Sequence, residues 1–190
     1  MTDTQKLYSG ISKAAWGYFF LYFNININNI SVLPNFVGYL LFLSAINLLQ
    51  DEERELSLLR TLGVILALWT GAGWLFSLVG LKVEGLWQFM DILISLVNLY
   101  FHFQLLTNLA AIAAKYQPEG EFLDAKLLRY RTLQTLMLTA IEIVICFKPW
   151  FSAVWTAISF CMLLVYVFAG ICLMKALFDL RKCFVETILK

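Results

Sequence analysis

Charged residues are scarce in this chain, and their scarcity excludes most classes of soluble protein. Only 14% of the 190 residues are Asp, Glu, Lys or Arg, whereas 61% are hydrophobic and the mean hydropathy is +0.78. A soluble domain of this length needs a more charged surface to remain in solution. The composition therefore indicates an integral membrane protein, with the lipid bilayer as its first partner.

The sequence also lacks the motifs that bind nucleotides, metals or nucleic acids. It has no Gly-rich phosphate loop, Cys-x-x-Cys pair, His-Glu-x-x-His or Gly-x-Ser-x-Gly. The net charge is +1 and no basic tract is present, so no nucleic-acid partner is expected. His102, the single histidine, lies about 16 Å from Asp91 along one helix, too far for a shared ion. We therefore predict no metal, no cofactor and no catalytic residues.

Apolar runs near 20 residues long alternate with short charged clusters, which is the pattern of membrane-spanning helices. We predict one domain over 1–190, an all-α polytopic membrane bundle of six transmembrane helices. Pro34 would stand in the first turn of the second helix. The first span has no small-residue cleavage site, so no cleavable signal peptide is expected. The predicted spans are about 9–27, 33–50, 58–80, 85–112, 129–150 and 153–178, followed by a short amphipathic tail.

The distribution of Lys and Arg predicts the orientation of the bundle. With six spans, twelve of the fourteen basic residues lie on one side, and only Lys82 and Lys148 lie on the other. The positive-inside rule then makes both termini cytoplasmic. We expect a multi-pass protein of the plasma membrane. Four tryptophans would lie at the outer ends of their spans, as in an interfacial aromatic belt: Trp74, Trp87, Trp150 and Trp155.

The fourth span carries a polar stripe on an otherwise apolar helix. Its members are separated by 3, 4, 3 and 4 residues, so they share one narrow helical face. Such a face is expected to point into the bundle. It would either line a cavity or join helices through hydrogen bonds worth about 0.6 kcal/mol each. The stripe consists of Gln88, Asp91, Ser95, Asn98 and His102.

Two carboxylates are predicted at similar depth in the outer half of the membrane. Asp91 would lie roughly 9 Å inside the outer end of the fourth span, and Glu142 about 12 Å inside that of the fifth. Unpaired carboxylates there would cost ~2.5–3.5 kcal/mol each on the insertion scale. We expect the two to face one interior space, with at least one protonated or paired with Lys148.

The end of the first span is unusual because asparagine and isoleucine alternate from Asn24 to Asn28. A period of two scatters amides around a helix instead of lining one face. The helix therefore either ends near Asn24 or carries amides into the outer leaflet. In the second case Asn24 and Asn26 would offer hydrogen-bonding groups to an outward-facing pocket.

The segment from Ile30 to Tyr39 resembles the "ILPxFxGY"-like start of the second helix in small uncharacterised six-helix membrane proteins of Gram-positive bacteria. That resemblance implies a bacterial membrane protein and no particular function. In size and topology the chain is also similar to the substrate-capturing subunits of energy-coupling-factor vitamin transporters. Their Ala-x-x-x-Ala contact motif is replaced here by Ala14-Ala15-Trp16-Gly17, so the likeness is one of fold class alone.

These features favour a non-enzymatic membrane protein that captures or transports a small solute in a polar, outward-facing cavity, with proton coupling left open. The first alternative is an accessory or immunity-type interaction subunit that binds a membrane-protein partner. The second is an intramembrane enzyme, for which no nucleophile–base pair has a credible spacing. The predicted cavity residues are Asn24, Asn26, Gln88, Asp91, Ser95, Asn98, His102, Glu142 and Lys148.

Overall fold

The computed structural model describes residues 3–23, 26–27, 30–31, 34–80, 86–146 and 153–188, which form six helices and one short strand pair. The helices are α1 (Asp3–Tyr22), α2 (Asn35–Leu49), α3 (Leu56–Val79), α4 (Leu86–Tyr116), α5 (Leu123–Cys146) and α6 (Ala153–Ile188). Between α1 and α2, β1 (Asn26–Ile27) pairs antiparallel with β2 (Ile30–Ser31). The predicted all-α class with six helices is confirmed for the described part of the chain.

Each helix packs on the next one along the chain, and α6 returns to pack on α1, so the six helices form a closed ring. Contacts between early and late residues show that the neighbours are antiparallel. Lys6 near the start of α1 lies 3.5 Å from Asp51, just after α2. Arg181 near the end of α6 lies 5.5 Å from the ring centroid of Tyr8 near the start of α1. Helix α1 therefore begins, and helix α6 ends, on the same side of the ring of helices, which we call the basic end.

In the part of the chain that the structure describes, three helices are long and apolar enough to cross a membrane. They are α3 and the stretches Met90–Tyr116 of α4 and Ala157–Val185 of α6. The fourth apolar helix, α2, has only 15 residues. Charged residues such as Lys6 in α1 and Arg131 in α5 reduce the hydropathy of the two remaining helices. The structure thus indicates a membrane protein with three candidate spans, whereas the sequence predicts six.

The predicted end of the first span at residue 27 is wrong, because α1 ends at Tyr22 and Asn26 lies in a strand. The physical reason is the alternation of asparagine and isoleucine. A period of two is the side-chain period of a strand, and asparagine has a low helix propensity. Pro34 precedes α2 at its N-cap, in an extended conformation, instead of occupying the first turn.

The fifth helix begins six residues before the predicted span because its N-terminus is capped by a side chain. Gln117 Oε1 accepts hydrogen bonds from the backbone N–H groups of Leu123 and Asp124, at 2.7 and 3.2 Å. Gln117 Nε2 donates to the Asp124 carboxylate at 2.9 Å. This bond, together with one from the backbone of Ala125, lowers the pKa of Asp124 below its usual value. The cap satisfies donors that would otherwise lack an intrahelical partner.

The last helix continues far beyond its predicted end at residue 178. At 36 residues and 1.5 Å per residue, α6 is about 54 Å long, against about 30 Å for the hydrocarbon core of a bilayer. The predicted amphipathic tail is therefore the last part of one continuous helix. Leu177, Leu180 and Phe184 are buried there, so the tail contributes to the core at the basic end.

Burial is concentrated at the basic end. In α4 the buried side chains lie between Phe101 and Ala113, and none from 90 to 100 is buried. The other half of the ring is loosely packed, and we call it the open half. It comprises the stretches without buried side chains in α3 to α6, which are 67–80, 90–100, 135–144 and 157–168.

Helices α1 and α2 approach each other closely at two glycines. A Cβ atom on Gly38 would lie 2.9 Å from the backbone oxygen of Gly17. A Cβ on Gly17 would in turn lie 2.6 Å from the ring of Phe42. Because the backbone of α1 cannot move aside as a flexible side chain can, the approach requires glycine at position 38.

The first prediction tests this approach. Gly38→Ala should destabilise the protein by about 1–3 kcal/mol, because overpacking forces the two helices apart. Gly73→Ala in α3 is the matched control, since a Cβ there meets nothing within 4 Å, and it should leave stability unchanged or slightly raised. Unfolding of the purified protein in detergent measures both. Equal effects of the two substitutions would contradict the packing of α1 on α2.

Candidate functional site

Two residues of the α4 stripe reach neighbouring helices in the open half. Asp91 Oδ1 accepts a hydrogen bond from the indole nitrogen of Trp69 in α3, at 3.2 Å. One turn further, the Ser95 hydroxyl donates to Glu142 Oε1 of α5 at 2.5 Å. The two predicted carboxylates thus have different partners, since Asp91 of α4 bonds to α3 whereas Glu142 of α5 bonds to α4.

The next two stripe residues reach across the ring. The Tyr39 hydroxyl of α2 donates to Asn98 Oδ1 at 2.6 Å. His102 Nδ1 lies 3.3 Å from the Tyr18 hydroxyl of α1. From Asp91 to His102, the four described stripe side chains therefore bond to α3, α5, α2 and α1 in turn, which places this face of α4 toward the interior of the ring.

Aromatic side chains surround His102 and fill the centre of the helical bundle. The imidazole lies 5.3 to 6.1 Å, between centroids, from four neighbouring rings. Edge-to-face contacts such as those with Phe42 and Phe101 stabilise this type of cluster. The cluster closes the interior between the open half and the basic end. Its four rings belong to Tyr18, Tyr39, Phe42 and Phe101.

Above this cluster, a cavity of about 260 Å³ opens between α4 and α5 in the open half. Its size is close to the lower limit of the range usual for ligand pockets, about 300–1,000 Å³. Aliphatic side chains make up most of the wall, as is also usual for such pockets. The aliphatic members are Ile92, Leu96, Leu99, Leu138 and Ile143. We call this space the α4–α5 cavity.

Four polar side chains complete the wall of the α4–α5 cavity: Ser95, Asn98, Thr139 and Glu142. Glu142 is the one ionisable side chain among the nine lining residues. Ser95 engages one of its carboxylate oxygens, and the Oδ1 atom of Asn98 is engaged by Tyr39. The arrangement suits hydrogen bonding and ion pairing. In the described part of the chain, no three His, Cys, Asp or Glu side chains could together hold a metal ion.

Three of the predicted cavity residues meet in the structure, because Ser95, Asn98 and Glu142 all line the α4–α5 cavity. Asp91 lies one turn above Ser95, but it bonds to α3 and is not part of the wall. His102 lies below, inside the aromatic cluster. The stripe therefore divides into cavity-lining and helix-joining members.

The other four predicted residues cannot be assigned to the wall. Asn26 belongs to β1 and Gln88 to the first turn of α4, but the side chains of both lie outside the described part of the structure. Asn24 and Lys148 lie outside the described residues altogether. Their predicted roles stay predictions.

Sequence reasoning missed Thr139 and Tyr39. Thr139 precedes Glu142 by three residues, which places both on one helical face, so the spacing could have found it. Tyr39 donates a hydrogen bond to Asn98, but an aromatic residue in an apolar helix reads as a core residue, and nothing in the sequence links it to α4.

A second cavity of about 250 Å³ lies between the start of α3 and the middle of α4. Its polar members are Glu55, Tyr100 and Gln104. Gln104 Nε2 donates to the Glu55 carboxylate, and exposed Leu58 forms one side of the groove. Because its carboxylate lies at the basic end, in the turn that precedes α3, this groove differs in position from the predicted site.

The second prediction tests whether the stripe joins helices across the ring. In a double-mutant cycle, Tyr39→Phe and Asn98→Leu should show a coupling energy of about 0.6 kcal/mol, and no more than ~1.7 kcal/mol, as for hydrogen bonds between membrane helices. Unfolding in detergent supplies the four stabilities. Tyr39→Phe with Thr132→Val is the control pair, since Thr132 bonds within its own helix. No coupling between Tyr39 and Asn98, or coupling of equal size in the control pair, would refute the hydrogen bond.

Comparisons of the chain with protein-family models, with curated proteins and with solved structures give no match in any of the three.

Proposed function

We propose that the protein is a multi-pass plasma-membrane protein that binds a small solute in the α4–α5 cavity. The proposal is supported by three helices long and apolar enough to span a bilayer and by the location of the cavity in the open half. Helices α1, α2 and α5 would be the other three of the six predicted spans. Capture or transport of the solute would be the biological role.

One observation carries the proposal, namely that the Glu142 carboxylate borders an open cavity. A carboxylate inside a membrane is costly, and such residues commonly mark ligand or ion sites. Joining α4 to α5 requires only a neutral pair or close-packed aliphatic side chains. A carboxylate beside free space, with three other polar side chains on an aliphatic wall, is typical of a binding pocket instead.

The positive-inside rule gives the direction from which the solute would enter. Basic residues such as Lys6, Lys115 and Lys182 lie near the basic end, where α1 begins and α6 ends. If that end is cytoplasmic, the open half and the α4–α5 cavity face the outside. In that orientation the aromatic cluster around His102 would lie between the α4–α5 cavity and the cytoplasmic side, as expected of a pocket that opens to one side only.

A second candidate function is that of an interaction subunit in a membrane complex. The observation in its favour is that Asp91, Asn98 and His102 all have partners within the protein, as residues that only join helices would. In this case α4 and α5 would stabilise the fold, and a partner protein would supply the activity. The two functions differ in whether water and solute enter the α4–α5 cavity.

The third prediction concerns topology. In a background with all four cysteines replaced, Gly85→Cys should react with a membrane-impermeant thiol reagent added to intact cells, because it lies at the predicted outer side. Glu119→Cys, in the turn between α4 and α5, should react only after the cells are opened. The reverse pattern would invert the orientation and refute entry from outside.

The fourth prediction tests whether water enters the α4–α5 cavity. In the same background, Thr139→Cys should be modified by the impermeant reagent, since thiolates form and react in water. Leu136→Cys is the matched control, one turn away on α5, because the native side chain is 59% exposed but does not line the cavity, and in the proposed membrane span it would face lipid. It should react at least ~10-fold more slowly. Equal rates at the two positions would favour the interaction subunit.

A further inference from the structure

The aliphatic wall of the α4–α5 cavity defines one part of a ligand. Ile92, Leu96 and Leu99 of α4 face Leu138 and Ile143 of α5 across it. Such a wall favours an apolar body, since burying apolar surface is favourable and needs no particular geometry. A highly polar solute, such as a sugar, would find too few hydrogen-bonding groups on this wall.

The polar side of the cavity defines the other part of the ligand, because its charged member, Glu142, offers acceptors. The Glu142 carboxylate has two oxygens, of which Ser95 engages one. The Ser95 hydroxyl gives its proton to Glu142 and keeps its own lone pairs as acceptors. An ammonium group has three donors and no acceptor, which matches this set.

The charge of the cavity wall distinguishes further between possible head groups of the ligand. Glu142 is the one ionisable side chain in the cavity wall, and neither Lys nor Arg lines the cavity among the described residues. A carboxylate in a space of low polarity is stabilised by a cation and repels an anion. A neutral hydroxyl would form hydrogen bonds there without the gain of a charge-assisted one.

From these contacts we propose that the α4–α5 cavity binds small amphipathic amines, with the ammonium group on Glu142 and Ser95 and the apolar body against the aliphatic wall. The inference deepens the proposed function and rests on it. It names Glu142 as the residue that determines specificity for a cationic head group.

The experiment compares three probes with the same apolar body and different head groups. Hexylammonium, 1-hexanol and hexanoate are titrated into the full-length protein in lipid nanodiscs, and the signal of empty nanodiscs is subtracted to remove partition into lipid. Hexylammonium should bind at least ~10-fold more tightly than hexanol, and hexanoate should bind most weakly. Equal affinity for the three probes would overturn the proposal.

Variants of the cavity test the assigned contact. Glu142→Gln should weaken hexylammonium binding by ~10-fold or more and leave hexanol binding unchanged, because the wall is intact. Glu142→Asp keeps the charge and should retain the preference for hexylammonium. If Glu142→Gln does not fold, as an unfolding measurement without ligand would show, Glu142→Asp still tests the proposal. Loss of the preference in Glu142→Asp, or its retention in Glu142→Gln, would overturn the proposal.

Asp91→Asn is the matched control, since this carboxylate lies one turn from Ser95 but bonds to Trp69 and does not line the cavity. Binding of hexylammonium should be unchanged in this variant. An effect as large as that of Glu142→Gln would mean that net charge in the open half, and not contact with Glu142, attracts the amine, and would overturn the assignment.

The amine inference and the proposed function fail differently. Suppose that Thr139→Cys reacts with the impermeant reagent and hexanol or hexanoate binds, but hexylammonium is not preferred. That result overturns only the choice of an amine. No binding of any probe, together with an unreactive Thr139→Cys, overturns both.

Discussion

Polar groups buried in a membrane must find partners within the protein, and the α4 stripe shows how this chain meets that constraint. Its described side chains each bond to a different helix of the ring. Asp91 reaches α3 and Ser95 reaches α5, whereas Asn98 and His102 reach α2 and α1. The helix in the middle of the sequence thereby contacts both its neighbours and the far side of the ring. Its rotation is fixed by hydrogen bonds as well as by packing.

The division into a packed basic end and an open half follows from where the large side chains lie. Buried leucines of α4 and α6, such as Leu109 and Leu177, fill the basic end, whereas α1 ends at Tyr22 and does not continue into the open half. The ring therefore has less to fill its interior in the open half. Glu142 lies there beside free space, and the aromatic cluster below it separates that space from the basic end. This asymmetry is the basis of the proposed binding function.

The sequence predicts the parts of this structure that depend on one helix at a time. The 3, 4, 3, 4 spacing places the α4 stripe on one face, and apolar runs locate six helices to within a few residues, apart from the start of α5, both ends of the first span and the end of the last one. It could not predict which helix each stripe residue meets, because Trp69, Tyr39 and Tyr18 lie far away in the chain and read as ordinary core residues. The strand at Asn26 was not predicted, because the period of two was interpreted only as a disturbance of the first helix.

The central claim is that Ser95 of α4 and Glu142 of α5 face each other at the edge of the α4–α5 cavity. Cross-linking with a short bifunctional thiol reagent tests it most directly, using cysteines at both positions in a background free of the native four. The account predicts rapid intramolecular cross-linking of the 95/142 pair and little for a pair at 95 and 136, since Leu136 lies outside the cavity wall. Absence of the first cross-link, or equal yields for both pairs in folded protein, would contradict it.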